Sequence, residues 1–209
     1  MDDAREFILV RHGRSDYNVR GVLNGDPSVP VRLTDEGVQQ CRAVAVELRD
    51  DPITLAVCTR FPRTRESLGI ILDGRDVPVD VYPEFDDVRL GCFEGRPVDE
   101  FRSWRHEHGP AAAPTGGESR LDTLRRYADG YARLVRTTHE ACTLCVVHDV
   151  TIRMMVNAVA GDDPIDGRVT RIENATPYRF TADELADGLA RMYARAGDAP
   201  TAPPVPPMR

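Results

Sequence analysis

The stretch Phe7-Ile8-Leu9-Val10-Arg11-His12-Gly13 constrains the fold of this chain more than any other. Four consecutive apolar residues between charged flanks suit a strand covered on both faces, as in a parallel sheet, because a half-exposed strand would alternate apolar and polar positions. Gly13 then lets the backbone turn or come close to a ligand. Arg11 and His12 are thereby delivered to a carboxyl edge, the edge at which open α/β sheets bind ligands. An Arg-His-Gly tripeptide arises easily by chance in an arginine-rich chain, so it carries weight only with support from elsewhere in the sequence.

That support comes from strands and helices that alternate along the chain. Arg14 to Arg32 is a polar loop punctuated by Asn18, Asn24-Gly25 and Asp26-Pro27, a form common where loops bind or cover ligands. Thr34 is placed to cap a helix reaching about Arg49, with Val38, Cys41, Ala45 and Leu48 as its apolar stripe. Leu55 to Cys58 reads as a second buried strand. Pro62 sits at the first turn of the helix after it, which puts Arg63 beside that helix's positive end. Val77 to Val81 reads as a third strand leading to Asp87. Residues 96–115, with Trp104 and five arginines and histidines, read as a small cap. Gly116-Gly117-Glu118-Ser119 introduces a long helix with Leu124, Ala128, Tyr131 and Val135 on one face. Thr143 to Val147 is a fourth strand, ending at His148-Asp149 before a helix over Val150 to Val159.

Thr181-Ala182-Asp183-Glu184 is a capping-box pattern before an Ala/Leu-rich run, whereas Asp187-Gly188 is a hairpin signal; helix and hairpin both stay open there. These elements predict a three-layer α/β/α fold with a mostly parallel central sheet and a small cap insertion. Residues 1–196 form one domain, with the cap at about 96–115, and a proline-rich tail follows over 197–209.

Composition narrows the function. The net charge of -7 argues against a broad nucleic-acid or anionic-membrane surface, although clustered arginines can still hold a small anion. All 27 basic residues are arginine, which excludes lysine chemistry. The charged amino terminus is unlike a signal peptide and no run is long enough to span a bilayer, so a cytoplasmic protein is expected. The 5 cysteines suit reduced thiols. Cys142-x-x-Cys145, flanked by His139 and His148, has the look of a metal knot, but alternation along the strand Thr143 to Val147 sends Cys145 and its neighbours to different faces, so no metal is expected.

If the strands are parallel, His12, Arg63, Asp87 and His148 each follow a separate strand and emerge at one edge. Two arginines there offer planar forks to a phosphoryl group. A neutral histidine is a competent nucleophile toward phosphorus. A second, protonated histidine stabilises the equatorial oxygens, and a carboxylic acid protonates the departing oxygen. With that positive charge in place the combination needs no Mg²⁺ and no cofactor.

Arg11-His12-Gly13 with Asn18, Leu33-Thr34-x-x-Gly37, Arg63, Gly91-x-x-Glu94-Gly95, Gly116-Gly117-Glu118-Ser119 and His148 together resemble the motif series of the histidine phosphatase superfamily, phosphoglycerate-mutase-like branch. The resemblance runs in order over roughly residues 6–175. It implies a phosphohistidine on His12 and a pocket built from Arg11, Asn18, Arg63 and His148, with no metal. Among Arg60, Arg63 and Arg65, the family pattern selects Arg63. Two positions depart from it. Asp87 stands where the family usually has a glutamate, and Asp149 follows the second histidine where glycine is common, so Asp149 is the alternative acid.

The resulting expectation is a metal-independent phosphatase acting on a small phosphorylated substrate through His12, with Asp87, Arg11, Arg63 and His148 as the catalytic set. Glu94 and Glu118 are read as loop-holding residues, and Trp104 as either packing or substrate contact. Neither a nucleic acid nor a membrane is expected as partner, and a homo-oligomer remains open. The alternatives are mutase-type phosphoryl transfer, which the short cap disfavours, and a non-catalytic phospholigand-binding protein.

Overall fold

The computed structural model describes residues 5–139 and 141–197. In chain order the elements are β1 (Glu6–Arg11), α1 (Asp16–Arg20), α2 (Asp35–Glu47), β2 (Leu55–Cys58), α3 (Pro62–Leu72), β3 (Val79–Val81), α4 (Val98–Glu107), α5 (Arg120–Thr137), β4 (Cys142–Val147), α6 (Asp149–Val159), β5 (Pro177–Thr181) and α7 (Ala182–Ala196). The sheet order is β3-β2-β4-β1-β5, parallel except for β5.

The apolar run of β1 fills both faces of this sheet. Phe7 and Leu9 join a cluster with Leu124, Tyr131, Ile152, Met155 and Leu185 of α5, α6 and α7. Ile8 and Val10 point the other way, to Cys41, Val44, Leu68 and Ile71 of α2 and α3. The result is the expected three-layer architecture, with helices on both faces of the central strands. Burying one such aliphatic side chain contributes about 1.5–3 kcal/mol, so a charge placed in β1 would disrupt both layers at once. Cys142 and Cys145 of β4 fall in different clusters, on opposite faces of the sheet.

Close backbone approach locks α2 onto the loop after β1. A Cβ on Gly37 would lie 2.1 Å from the Arg14 carbonyl oxygen, and one on Gly13 would lie 2.6 Å from the carbonyl oxygen of Gly37. The inward face of α2 is Gly37, Cys41 and Val44, continued by Leu48, with Val38 and Ala45 only half-buried. That stripe is rotated from the expected one because Gly37, invisible to hydrophobic periodicity, makes the tightest contact.

Three further differences have local causes. The loop after β1 contains α1, held by a capping box between Ser15 and Asn18. The third strand shortens to Val79–Val81 and lies at the sheet's edge with its side chains exposed. Residues 177–181 form an antiparallel strand on the far side of β1, where Arg179 pairs with Glu6 and Asp51 at 3.0 and 2.8 Å.

After β5, Thr181 caps α7 and the hairpin alternative fails. Gly188 is inside the helix, where a Cβ would meet Met155 Sδ at 2.5 Å, so the glycine admits α6 rather than making a turn. Among the described residues no helix is long and apolar enough to cross a membrane. The tail expected over 197–209 lies outside the described residues beyond Gly197, the left-handed C-cap of α7.

Candidate active site

Parallel pairing puts the ends of β1, β2 and β4 side by side. Arg11 is opposite Val147, and the His12 amide donates to the Val147 carbonyl at 3.0 Å, so the two imidazoles that follow come within 5.6 Å, centroid to centroid. Cys58 is opposite Val146 on the other side of β4, which brings Thr59 to His148. Arg63 enters from the first turn of α3, behind Pro62.

Hydrogen bonds fix the tautomer of each histidine. His12 Nδ1 lies 2.8 Å from the Gly13 carbonyl oxygen, which can only accept, so Nδ1 carries the proton. The lone pair of Nε2 then faces the cavity, where Arg63 Nε donates to it at 3.1 Å. For His148 the sequence begins at Thr64, whose hydroxyl donates to the Phe61 carbonyl at 2.9 Å. Thr59 therefore donates to Thr64, 2.9 Å away, and accepts from His148 Nε2 at 3.0 Å. His148 Nδ1 is left facing Arg63 Nη2 at 3.3 Å. Both rings are buried. Burial above all, then the charges of Arg63 and its neighbours, holds both pKa values well below the ordinary 6.5. As the side chains stand, His148 is neutral, so a protonated His148 requires an arriving anion.

Arg63 is the hub of the cluster. Its Nη2 donates to Asp87 Oδ2 at 2.9 Å, and its Nη1 donates to Asn24 Oδ1. Asp87 Oδ2 also lies 3.4 Å from His148 Nδ1. Burial pulls the Arg63 pKa down and the Asp87 charge pulls it up, and the guanidinium stays charged throughout the working range. Arg60 and Arg65 point elsewhere. Arg60 is bound to Asp86 at 2.6 Å with its side chain about half exposed, and Arg65 reaches the Thr59 carbonyl.

Arg11 lines the same cavity with 13% of its side chain exposed. Its Nη1 donates to the Ile172 carbonyl, and its Nε is buried with no hydrogen-bond partner in the protein. Asn18 is exposed at the rim, and its oxygen accepts from Ser15 N at 3.1 Å as part of the α1 cap. Only its NH2 end is left to meet an anion, and that is the end an anion requires. The cavity occupies about 930 Å³ and extends from these residues to Phe101, Trp104 and Arg105 of α4.

The two candidate acids differ in setting. Asp87 contacts Arg63 and His148, and its loop is held from behind by Arg126, which donates to the carbonyls of Glu84 and Asp86 at 2.9 and 2.7 Å and pairs with Glu118. Asp149 accepts from Ile172 N at 2.7 Å and from Arg153 Nε at 3.4 Å; it stands as the first residue of α6 and does not cap the helix with its side chain. Glu94 accepts from Asn24 and Gly25 and Glu118 from the Arg89 amide, so both act on loops. Trp104 packs on Phe101 and His108 and also lines the cavity.

The model of the histidine phosphatase superfamily, branch 1, matches residues 7–193. The chain belongs to that superfamily. Its relatives include the adenosylcobalamin/alpha-ribazole phosphatase of Salmonella typhimurium, 29% identical over 158 residues and covering 71% of this chain and 76% of that protein. Another is the probable phosphoglycerate mutase GpmB of Yersinia pestis, 26% identical over 203 residues, 92% of this chain and 93% of its own. The crystal structure of the alpha-ribazole phosphatase of Shigella flexneri superposes with a TM-score of 0.74 at 24% identity, covering 83% of this chain and 89% of that one. This member of the superfamily is thus a phosphatase, a phosphoric monoester hydrolase.

Three contributors escape sequence reasoning. In sequence Asn24 is only part of a polar loop, yet its side chain receives Arg63. Thr59 sets the tautomer of His148, and Asn174 donates to the His12 carbonyl at 2.8 Å. The position of Thr59 directly after a strand is a usable signal; Asn174, acting across 162 residues of sequence, offers none.

Proposed function

We propose that this enzyme hydrolyses a small phosphomonoester through a phosphohistidine on His12, with Asp87 as the acid and without a metal in the transfer. The observation that carries this reading is the His12 imidazole, neutral, with Nδ1–H tied to the Gly13 carbonyl and the Nε2 lone pair aimed at Arg63. Arg11 and Arg63 grip the phosphoryl oxygens. Nε2 attacks phosphorus in line as the bond to the leaving oxygen breaks, and Asp87 gives that oxygen its proton. Water then attacks the phosphohistidine, losing a proton to the Asp87 carboxylate, and phosphate leaves with Nε2 restored.

A phosphoryl dianion that takes Arg63 Nη2 away from Asp87 leaves the carboxyl beside negative charge instead of a guanidinium, the setting in which it takes up a proton. The same dianion beside His148 Nδ1 favours the imidazolium that would hold the equatorial oxygens. The arginines and His148 supply the positive charge that a metal would otherwise bring.

Rapid quenching during turnover of nitrophenyl phosphate, followed by mass spectrometry, should place an acid-labile phosphate on His12. EDTA should leave the rate unchanged and vanadate should inhibit, because a trigonal-bipyramidal oxyanion resembles the in-line transition state. His12→Ala turning over at the wild-type rate would overturn the mechanism. Transfer of the phosphoryl group to an added phosphorylated acceptor faster than to water would mark a mutase, and binding without turnover a phospholigand-binding protein.

A further inference from the structure

Arg105 of α4 lines the far end of the cavity with no hydrogen bond or ion pair to any described residue. Its guanidinium lies over the Phe101 ring, 5.9 Å from the centroid. Its Nε is buried without a partner. Arg120 of α5 and Arg153 of α6 line the same cavity, and burial followed by the charges of Arg153 and Arg120 lowers the Arg105 pKa. The nearest carboxylates are already engaged. Asp166 is held by Arg120 at 2.6 Å, and Asp149 by Arg153 and the Ile172 amide. Three guanidiniums therefore meet two carboxylates, and the unmatched one faces the cavity. Like charges gathered in a half-buried site are costly unless an anion joins them.

Asp149 stands 3.4 Å from Arg153 Nε and 4.0 Å from Arg11 Nη1, so it lies between this cluster and the phosphoryl end of one cavity. We propose that Arg105, backed by Arg120 and Arg153, binds a second anionic group of the substrate, a carboxylate or a phosphate that is retained while the phosphoryl group at His12 is removed. The proposal rests on the phosphatase reading above and narrows it to doubly anionic phosphomonoesters. Arginine suits the task because its fork binds either group bidentately.

Two matched pairs of probes test this on the full-length protein. 6-Phosphogluconate differs from sorbitol 6-phosphate by a carboxylate, and glucose 1,6-bisphosphate differs from glucose 6-phosphate by a phosphate. The member carrying the second anionic group in at least one pair should have the higher kcat/KM by about tenfold, the scale of one charge-assisted contact, and which pair responds tells carboxylate from phosphate. Arg105→Gln should bring that ratio to about one by raising KM, with partial recovery in Arg105→Lys, which a purely structural role would not give. A wild-type ratio near one in both pairs, or a ratio that survives Arg105→Gln, overturns the second subsite. Calorimetric binding of the same pairs measures the same preference without turnover, so failure of hydrolysis and failure of the subsite are told apart.

Discussion

The two ends of the cavity are built differently. At the sheet edge, His12 and Arg63 are 3% exposed and His148 is fully buried, and their contacts with Asn24, Thr59, Asp87, Asn174 and one another join residues 24 to 162 apart in the chain. The cap helix α4 buries no residue completely. Its ion pairs are local and exposed, Arg96 with Glu100 at 2.6 Å and Arg102 with Asp99 at 3.0 Å, each worth a few tenths of a kcal/mol. Its aromatic residues, Phe101 and Trp104, stack on one another and against Phe93. The cluster proposed to make and break bonds is thus fixed by the fold itself, whereas the α4 end of the cavity is held by short-range contacts that can change without disturbing the sheet.

The largest expected effect lies at the sheet edge. Arg63→Ala should lower kcat/KM on nitrophenyl phosphate by about 10²–10³-fold, the usual cost of losing one preorganised donor to a developing oxyanion. Arg60→Ala, three residues away but committed to Asp86, should cost less than about threefold. Arg102→Ala in α4, which severs the exposed pair with Asp99 at the cavity wall, should be as mild toward this small ester. A larger loss from Arg60→Ala or Arg102→Ala than from Arg63→Ala would break the distinction between the two ends.

Asp87 and Asp149 sharpen the boundary. An alkyl phosphate needs its leaving oxygen protonated, and nitrophenyl phosphate needs this far less. Asp87→Asn should slow an alkyl ester by roughly 10²-fold, in the range of general-acid catalysis, and nitrophenyl phosphate at least tenfold less. Asp149→Asn, which gives up the charge paired with Arg153 but keeps an oxygen that can accept from the Ile172 amide, should slow both esters alike. The opposite pattern of leaving-group dependence would move the acid to Asp149.

Which features can be read from sequence follows from the range of the interactions behind them. The buried run of β1, Pro62 at the start of α3 and the Thr181 and Ser119 caps act within a few residues, so their elements are legible. The capping box of Ser15 and Asn18 is equally local but is hidden inside a loop whose polarity points to function. β5 escapes because five residues beginning with proline carry little periodicity, and its pairing with β1 spans most of the chain. At the site, residues that follow strands can be placed, because a parallel sheet collects them at one edge. Asn24, Asn174 and the grouping of Arg105 with Arg120 and Arg153 depend on how separate elements pack, which no spacing encodes.

The smallest expected effect is on stability, and it separates the two ends by pH. In the unfolded chain His12 and His148 take up protons near the ordinary pKa of about 6.5. In the folded chain, burial and the arginines hold both far below that value. Between those limits the unfolded state binds more protons, so stability falls as pH falls below about 6.5 and is unaffected by these groups above it. Each histidine contributes at most about 1.4 kcal/mol per pH unit to the slope. Urea midpoints of the wild type should therefore be level from about pH 8 to 7 and decline from about pH 6.5 to 5.5. His12→Gln should shed part of that decline, since it removes one of the two buried rings. Vanadate should shed part as well, because an anion beside both rings offsets the arginine charges that keep them neutral. A wild-type midpoint that stays level down to about pH 5.5, or a decline that His12→Gln leaves intact, would mean that the sheet edge does not hold its histidines neutral and would remove the basis for a nucleophilic His12 Nε2.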